Sequence, residues 1–123
     1  MKFEVGMYIR TKDGIIDKVI IDYNGHCASP NCECKHISCA KNYYDEDKIV
    51  KARYDIIDLI EVEDYVNGKK IVDVGCLING PRTGTKAIDY YITPSAVSYL
   101  ENEDIKSVIT HEQIEQMEYR IGE

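Results

Sequence analysis

The chain has 123 residues, of which 44% are hydrophobic and 30% are charged, so it can form one domain or two very small ones with a modest core. It has no run of roughly 20 apolar residues that could span a membrane and no N-terminal signal-peptide pattern, so we expect a soluble, cytoplasmic protein without a membrane partner. Because phosphate contact depends on cations, the net charge of −7 argues against direct nucleic-acid binding.

Residues 1–58 predict a first small β unit. The segment EVGMYIRTKDGIIDKV (residues 4–19) contains two strand patterns on either side of Asp13-Gly14, a turn in which glycine supplies the positive φ. A long irregular excursion over residues 23–44 is followed by a short strand at 48–51 and a brief helical turn.

The excursion contains a dense cysteine and histidine cluster, HCASPNCECKHISC (residues 26–39). Cytoplasmic thiols stay reduced, and a total of five cysteines fits a disulfide framework poorly, so the cluster predicts metal binding. Four thiolates close a tetrahedral structural zinc site. The predicted zinc ligands are Cys27, Cys32, Cys34 and Cys39. An alternative in which His26 or His36 replaces one of them stays open.

The zinc is expected to be structural. The loop is polar and buries too little apolar area to offset its ordering entropy, whereas metal binding contributes directly to folding. A closed four-cysteine site leaves no coordination position for water, and the sequence offers no recognisable nucleophile and base pair. We therefore predict that the protein is not an enzyme.

Residues 59–123 predict a second β unit. Its segment EVEDYVNGKKIVDV (residues 61–74) has an Asn67-Gly68 hairpin turn, and strands are predicted at 87–92, 96–100 and 105–109. Cys76, in the apolar stretch VDVGCLI, is expected in the core. Thr110 and Gln113 form a capping-box pattern that starts a short C-terminal helix. Its inward positions are expected to be Ile114, Met117 and Ile121.

The two units have similar sequences. EVGMYI (residues 4–9) recurs as EVEDYV (61–66), and DEDKIVKA (45–52) resembles ENEDIKSV (101–108), at a spacing close to 57 residues. The predicted fold is mainly β with short helices (α+β): two tandem small SH3-like barrels from a diverged duplication, the first carrying the zinc-stapled loop.

Charge and tyrosines indicate a protein-binding surface. Residues 59–123 carry a net charge of −6, against −1 for residues 1–58, which favours a basic partner surface. In the pairs Tyr43-Tyr44 and Tyr90-Tyr91, one ring should face the core and the other solvent. The candidate partner-binding residues are Glu61, Glu63, Asp64, Glu101, Glu103, Asp104, Glu112, Glu115 and Glu118.

Three segments resemble small proteins from phages and mobile elements of Firmicutes: MKFEVGMYIRTKDGIIDK, YDIIDLIEVEDYVNGKKIVDV and EDIKSVITHEQIEQMEY. Those proteins carry an N-I-I-D-L-I-E-V-G-D-Y-V-N-G stretch, from which this chain departs at Glu63, where they usually have glycine, so its turn geometry there could differ. Small proteins of this setting include anti-CRISPR proteins, one class of which combines zinc binding with inhibition of the type II RNA-guided nuclease. The resemblance implies a phage-encoded, zinc-binding inhibitor that binds a type II CRISPR nuclease and blocks nucleic-acid loading or cleavage.

The alternative hypothesis is a nucleic-acid-binding accessory module with a structural zinc. It requires a basic stripe, and the first unit offers a modest one: Lys35, Lys41, Lys48, Lys51 and Arg53. Tight binding of duplex or single strands at physiological salt would favour this hypothesis over the inhibitor.

The ligand assignment predicts that Cys32→Ser lowers the zinc content of the purified, reduced protein, because a serine hydroxyl does not replace a thiolate ligand. The matched control is Cys76→Ser, which changes the one cysteine outside the cluster. Metal analysis of both variants checks the assignment, and undiminished zinc in Cys32→Ser would contradict it.

Overall fold

The structure is a computed structural model that describes residues 3–20, 25–26 and 35–117. The chain divides into two compact units, Met1–Leu59 and Ile60–Glu123. Over the described residues it is mainly β with short helices, which confirms the predicted α+β class.

In the described part of the first unit there are six short antiparallel strands. They form two three-stranded sheets, ordered β2-β1-β6 and β3-β4-β5. Two 3₁₀ turns, Glu46–Lys48 and Ile56–Leu59, flank the last strand. The strands are β1 (Tyr8–Thr11), β2 (Ile16–Lys18), β3 (Gly25–His26), β4 (Lys35–Ser38), β5 (Tyr43–Asp45) and β6 (Ile49–Arg53). The excursion that the sequence predicts as irregular therefore contains strands, which are too short to show a hydrophobic period.

One hydrophobic cluster forms the core of the first unit. Met7 and Tyr44 pack against it. Arg10 is fully buried among these strands, and its guanidinium donates a 2.9 Å hydrogen bond to the carbonyl of Leu59. That bond ties β1 to the second 3₁₀ turn. The cluster consists of Phe3, Ile9, Val19, Ile37, Cys39, Ile49 and Ala52.

A single five-stranded sheet, ordered β10-β9-β8-β7-β11, organises the second unit. Its strands are β7 (Tyr65–Val66), β8 (Lys69–Cys76), β9 (Lys86–Thr93), β10 (Ala96–Leu100) and β11 (Val108–Ile109). Asn67 and Gly68, with φ values of 52° and 78°, form the tight β7–β8 turn. Two-residue hairpin loops of type I′ need positive φ at both positions, which explains the Asn-Gly pair.

The C-terminal helix α1 (His111–Met117) begins at the predicted capping box. The Gln113 amide donates to the Thr110 hydroxyl, and the Thr110 amide donates to the Gln113 side chain, at 3.4 and 3.0 Å. The predicted inward face is only partly correct: Ile114 is half-buried, but Met117 is 71% exposed. Ile121 lies outside the described residues.

The expectation that Cys76 is a core residue is wrong, because Cys76 is exposed at the end of β8. Val74, Gly75 and Cys76 at the end of β8 are all exposed, although Ile88 and Ala87, which pair with Val74 and Gly75, are buried. Ile78, two residues beyond Cys76, is 82% exposed.

The turn that opens each unit has the same hydrogen bonds. In the first unit the Met7 amide donates to the Glu4 carbonyl, and the Gly6 amide donates to Val19. In the second unit the amides of Asp64 and Glu63 donate to Glu61 and Ile71 in the same way. Both turns place their third residue at positive φ, 94° at Gly6 and 79° at Glu63. The glycine-to-glutamate departure at Glu63 thus keeps a left-handed backbone.

This geometry predicts opposite effects for two substitutions. An L side chain in the left-handed region costs about 1 kcal/mol, partly offset by the greater freedom of glycine in the unfolded chain. Glu63→Gly should therefore raise the free energy of unfolding by up to ~1 kcal/mol, and Gly6→Ala should lower it by a similar amount. Urea denaturation of both variants tests this, and a destabilising Glu63→Gly would contradict the strain argument.

Candidate functional site

The cysteine loop joins the paired ends of β3 and β4. Gly25 pairs with His36, and His26 pairs with Lys35. The two candidate histidines, His26 and His36, therefore lie on the strands that flank the loop. Three of the predicted zinc ligands lie outside the described residues, and their role stays a prediction: Cys27, Cys32 and Cys34.

The fourth predicted ligand, Cys39, lies in the core of the first unit. It forms a bridge with Val19 and is 5% exposed. Burial, together with the charge of Asp17, raises the pKa of the Cys39 thiol to about 12. Zinc binds the thiolate, so coordination by Cys39 would release the thiol proton.

The distance along β4 also separates Cys39 from the loop. Cys39 is four residue steps along extended chain from Lys35, or roughly 13 Å at about 3.3 Å per residue. The burial of Cys39 is the reason to keep the alternative in which His26 or His36 replaces it, and the choice between the two ligand sets stays a prediction.

Among the predicted partner-binding residues, Asp64 is fully buried rather than on a surface. One carboxylate oxygen accepts the Glu61 amide at 2.7 Å, and the other accepts the His111 amide at 2.9 Å. A buried carboxylate is stable only when such hydrogen bonds replace its hydration. Asp64 thus joins the start of the second unit to the start of α1.

Two further acidic residues of the predicted surface are also used within the unit. Glu101 and Asp104 form a capping box around the 3₁₀ turn Asn102–Asp104. Arg82 lies 2.5 Å from a Glu101 oxygen and 3.7 Å from a Glu103 oxygen. These carboxylates are therefore partly neutralised by Arg82.

The remaining predicted partner residues differ in exposure. Glu63 and Glu115 are exposed, and Glu112 is half-buried beside His111. Glu118 lies outside the described residues. Among the predicted residues that the structure describes, Glu63 and Glu115 are therefore the ones that are exposed and have no side-chain role inside the unit.

The structure instead brings acidic and aromatic side chains together on one face of the β8-β9-β10 ladder. Tyr91 pairs with Val97, Asp89 pairs with Tyr99, and Asp73 lies opposite Asp89 on β8. Directly opposed residues share a face of a sheet. We call these five residues the acidic tyrosine face; the three apolar or aromatic members are 43–58% exposed.

Electrostatic repulsion acts within the acidic tyrosine face. Partial burial and the neighbouring Asp73 carboxylate raise the pKa of Asp89. A cation placed between the two carboxylates would relieve this repulsion. Sequence reasoning missed the Asp73 and Asp89 pair because 16 positions separate the two residues. It did predict that one ring of Tyr90-Tyr91 faces solvent, and Tyr91 is exposed whereas Tyr90 is half-buried.

Two other features of the described residues could bind a small ligand. An open cavity of about 360 Å³ in the first unit is lined by Tyr43, Tyr44 and Lys48, among others. In the second unit, Glu61, His111 and Glu112 place three donor atoms within 4.8 Å of one another. Sequence reasoning could not find this group, because Glu61 is 50 positions from His111.

Comparison with protein families, with curated proteins and with solved structures finds no match to this chain. No helix within the described ranges is long and apolar enough to cross a membrane.

The placement of Cys39 predicts that Cys39→Ala keeps the zinc content of the purified protein. The same change should lower the free energy of unfolding by about 1–2 kcal/mol, because it removes a buried sulfur from the core. Metal analysis and urea denaturation measure the two effects. Loss of zinc in Cys39→Ala would restore Cys39 as a ligand and exclude the histidine alternative at this position.

Proposed function

We propose that the protein is an inhibitory binding module whose second unit docks on a basic surface of a nucleic-acid-processing protein. The observation that carries this proposal is the acidic tyrosine face, Asp73, Asp89, Tyr91, Val97 and Tyr99, in a unit of net charge −6. The proposed role is non-enzymatic.

The composition of the face suits a protein partner. Exposed tyrosines bury a large area at a small cost in conformational entropy, and they are frequent anchors of interfaces. The Asp73 and Asp89 pair favours a lysine or arginine of the partner, which would neutralise two carboxylates that repel each other. The aromatic residues would provide affinity, and the carboxylates would provide specificity for a basic surface.

The resemblance to phage and mobile-element proteins narrows the partner to a type II CRISPR nuclease. Such nucleases hold the guide and target strands in a positively charged channel. An acidic module docked there would compete with the phosphate backbone and block nucleic-acid loading or cleavage. The proposed anti-CRISPR protein would act in the cytoplasm of the bacterial host.

The zinc has a structural role in this proposal. It would hold the loop between β3 and β4 in one conformation, and so present a shaped surface on the first unit. Cys27, Cys32 and Cys34 with one histidine are the proposed ligands.

We also propose that the two units are diverged copies of one SH3-like element. The matching opening turns support this, as do the matching strand orders β2-β1-β6 and β8-β7-β11. Ile9 pairs with Ala52 as Val66 pairs with Val108, and a 3₁₀ turn precedes the last strand in both units. The turn residues, the Ile9 and Val66 pairs and the 3₁₀ turns keep a spacing of 56 or 57 residues, whereas Val19 and Ile71, which accept the equivalent turn hydrogen bonds, are 52 residues apart.

The proposal predicts that the tagged protein retains a purified type II nuclease at low salt and inhibits its cleavage of target DNA. Tyr99→Ser should weaken retention about tenfold or more, because it removes an interface anchor. The matched control Tyr43→Ser removes an exposed tyrosine from the first unit and should leave binding unchanged. Asp89→Asn should reduce the dependence of binding on salt.

Two results would contradict the proposal. Failure to retain any type II nuclease at low salt would exclude the partner, and equal binding by Tyr99→Ser would exclude the face. A gel-shift titration in parallel tests the alternative, since tight binding of duplex or single-stranded nucleic acid at physiological salt would identify a nucleic-acid-binding module.

A further inference from the structure

Three metal-ligand side chains converge where the second unit begins and α1 begins. The Nε2 atom of His111 lies 3.0 Å from a Glu61 oxygen and 3.3 Å from a Glu112 oxygen. All three side chains are 24–35% exposed, so solvent reaches the group while most of each side chain is shielded.

The spacing of these atoms fits a shared ion. Donors about 2.1 Å from one cation are separated by about 3.0 Å at right angles and about 3.4 Å at the tetrahedral angle. The two measured distances from Nε2 correspond to those separations. Without an ion, a single imidazole nitrogen faces two carboxylate oxygens but has at most one proton to donate.

The backbone holds two of the three ligands in place. The buried Asp64 carboxylate accepts the amides of both Glu61 and His111. Glu112 follows His111 directly, and the Thr110 and Gln113 capping box fixes the same turn. The backbone positions that carry the three donors are therefore held in place, which reduces the ordering cost of binding an ion.

We propose that Glu61, His111 and Glu112 form a binding site for a divalent first-row transition cation such as zinc or cobalt. One imidazole and two carboxylates are ligands that these cations accept, and a histidine distinguishes the set from a purely oxygen site for magnesium or calcium. Three protein donors leave coordination positions for water. This site is separate from the cysteine loop and does not depend on the proposed nuclease partner.

The direct test follows the imidazole of His111 by nitrogen NMR while zinc is added to the reduced full chain at constant pH. The Nε2 resonance should shift and saturate with one equivalent of zinc at this site, after any zinc bound by the cysteine loop. If Glu61, His111 and Glu112 only contact one another and bind no metal, adding zinc at constant pH should not shift the Nε2 resonance of His111. An unchanged resonance would therefore overturn the proposal.

A matched pair of variants gives a second readout. Glu112→Gln and Glu115→Gln each remove one carboxylate charge from α1, but only the first removes a ligand. Titration calorimetry with zinc should show at least tenfold weaker binding at this site for Glu112→Gln and less than a twofold change for Glu115→Gln. Equal affinities in the two variants would overturn the proposal.

Discussion

Buried carboxylates hold the irregular parts of each unit to the sheets. In the first unit, Asp17 is 4% exposed and accepts the Lys41 amide and the Tyr44 hydroxyl, both at about 3.0 Å or less. In the second unit, Asp64 accepts the Glu61 and His111 amides. Because a charged carboxylate in the interior must have each lost water replaced by a donor, each residue requires two distant segments to meet.

The candidate sites follow from these two constraints. Asp17 fixes the segment that leads into β5, with Cys39 beside it, and so helps to place Cys39 in the core. Burial and the hydrogen bond to Asp17 also raise the pKa of the Tyr44 hydroxyl, which stays a donor at neutral pH. Asp64 fixes the backbones that carry Glu61 and His111. In each unit, a buried aspartate thus positions the backbone that carries the candidate ligands.

The acidic tyrosine face has a different origin. Strands β8 to β10 bury Ile71 and Ile88, and this burial fixes the register of the ladder. Since side chains alternate across a strand, the same register turns Asp89 and Tyr91 to one face. Packing on one side of the ladder therefore determines which charged and aromatic residues meet on the other.

Local patterns in the sequence predicted local structure well. The Asn67-Gly68 turn, the Thr110 and Gln113 capping box and the strands β9 and β10 depend on residues only a few positions apart, so their signals are complete within a short window. The same reasoning misplaced Cys76 and Met117. An apolar residue near the end of a strand or helix is buried only if another element covers it, and a short window does not contain that element.

The sequence by itself determined the β-rich character, the hairpin turns, the start of the helix and the concentration of negative charge in residues 59–123. Only the tertiary structure decided that Asp64 is interior, that Asp73 lies opposite Asp89, and that Glu61 reaches His111. The physical reason is that hydrogen-bonded turns are closed by neighbouring residues, whereas these contacts join residues 16 to 50 positions apart through strand register and a buried charge.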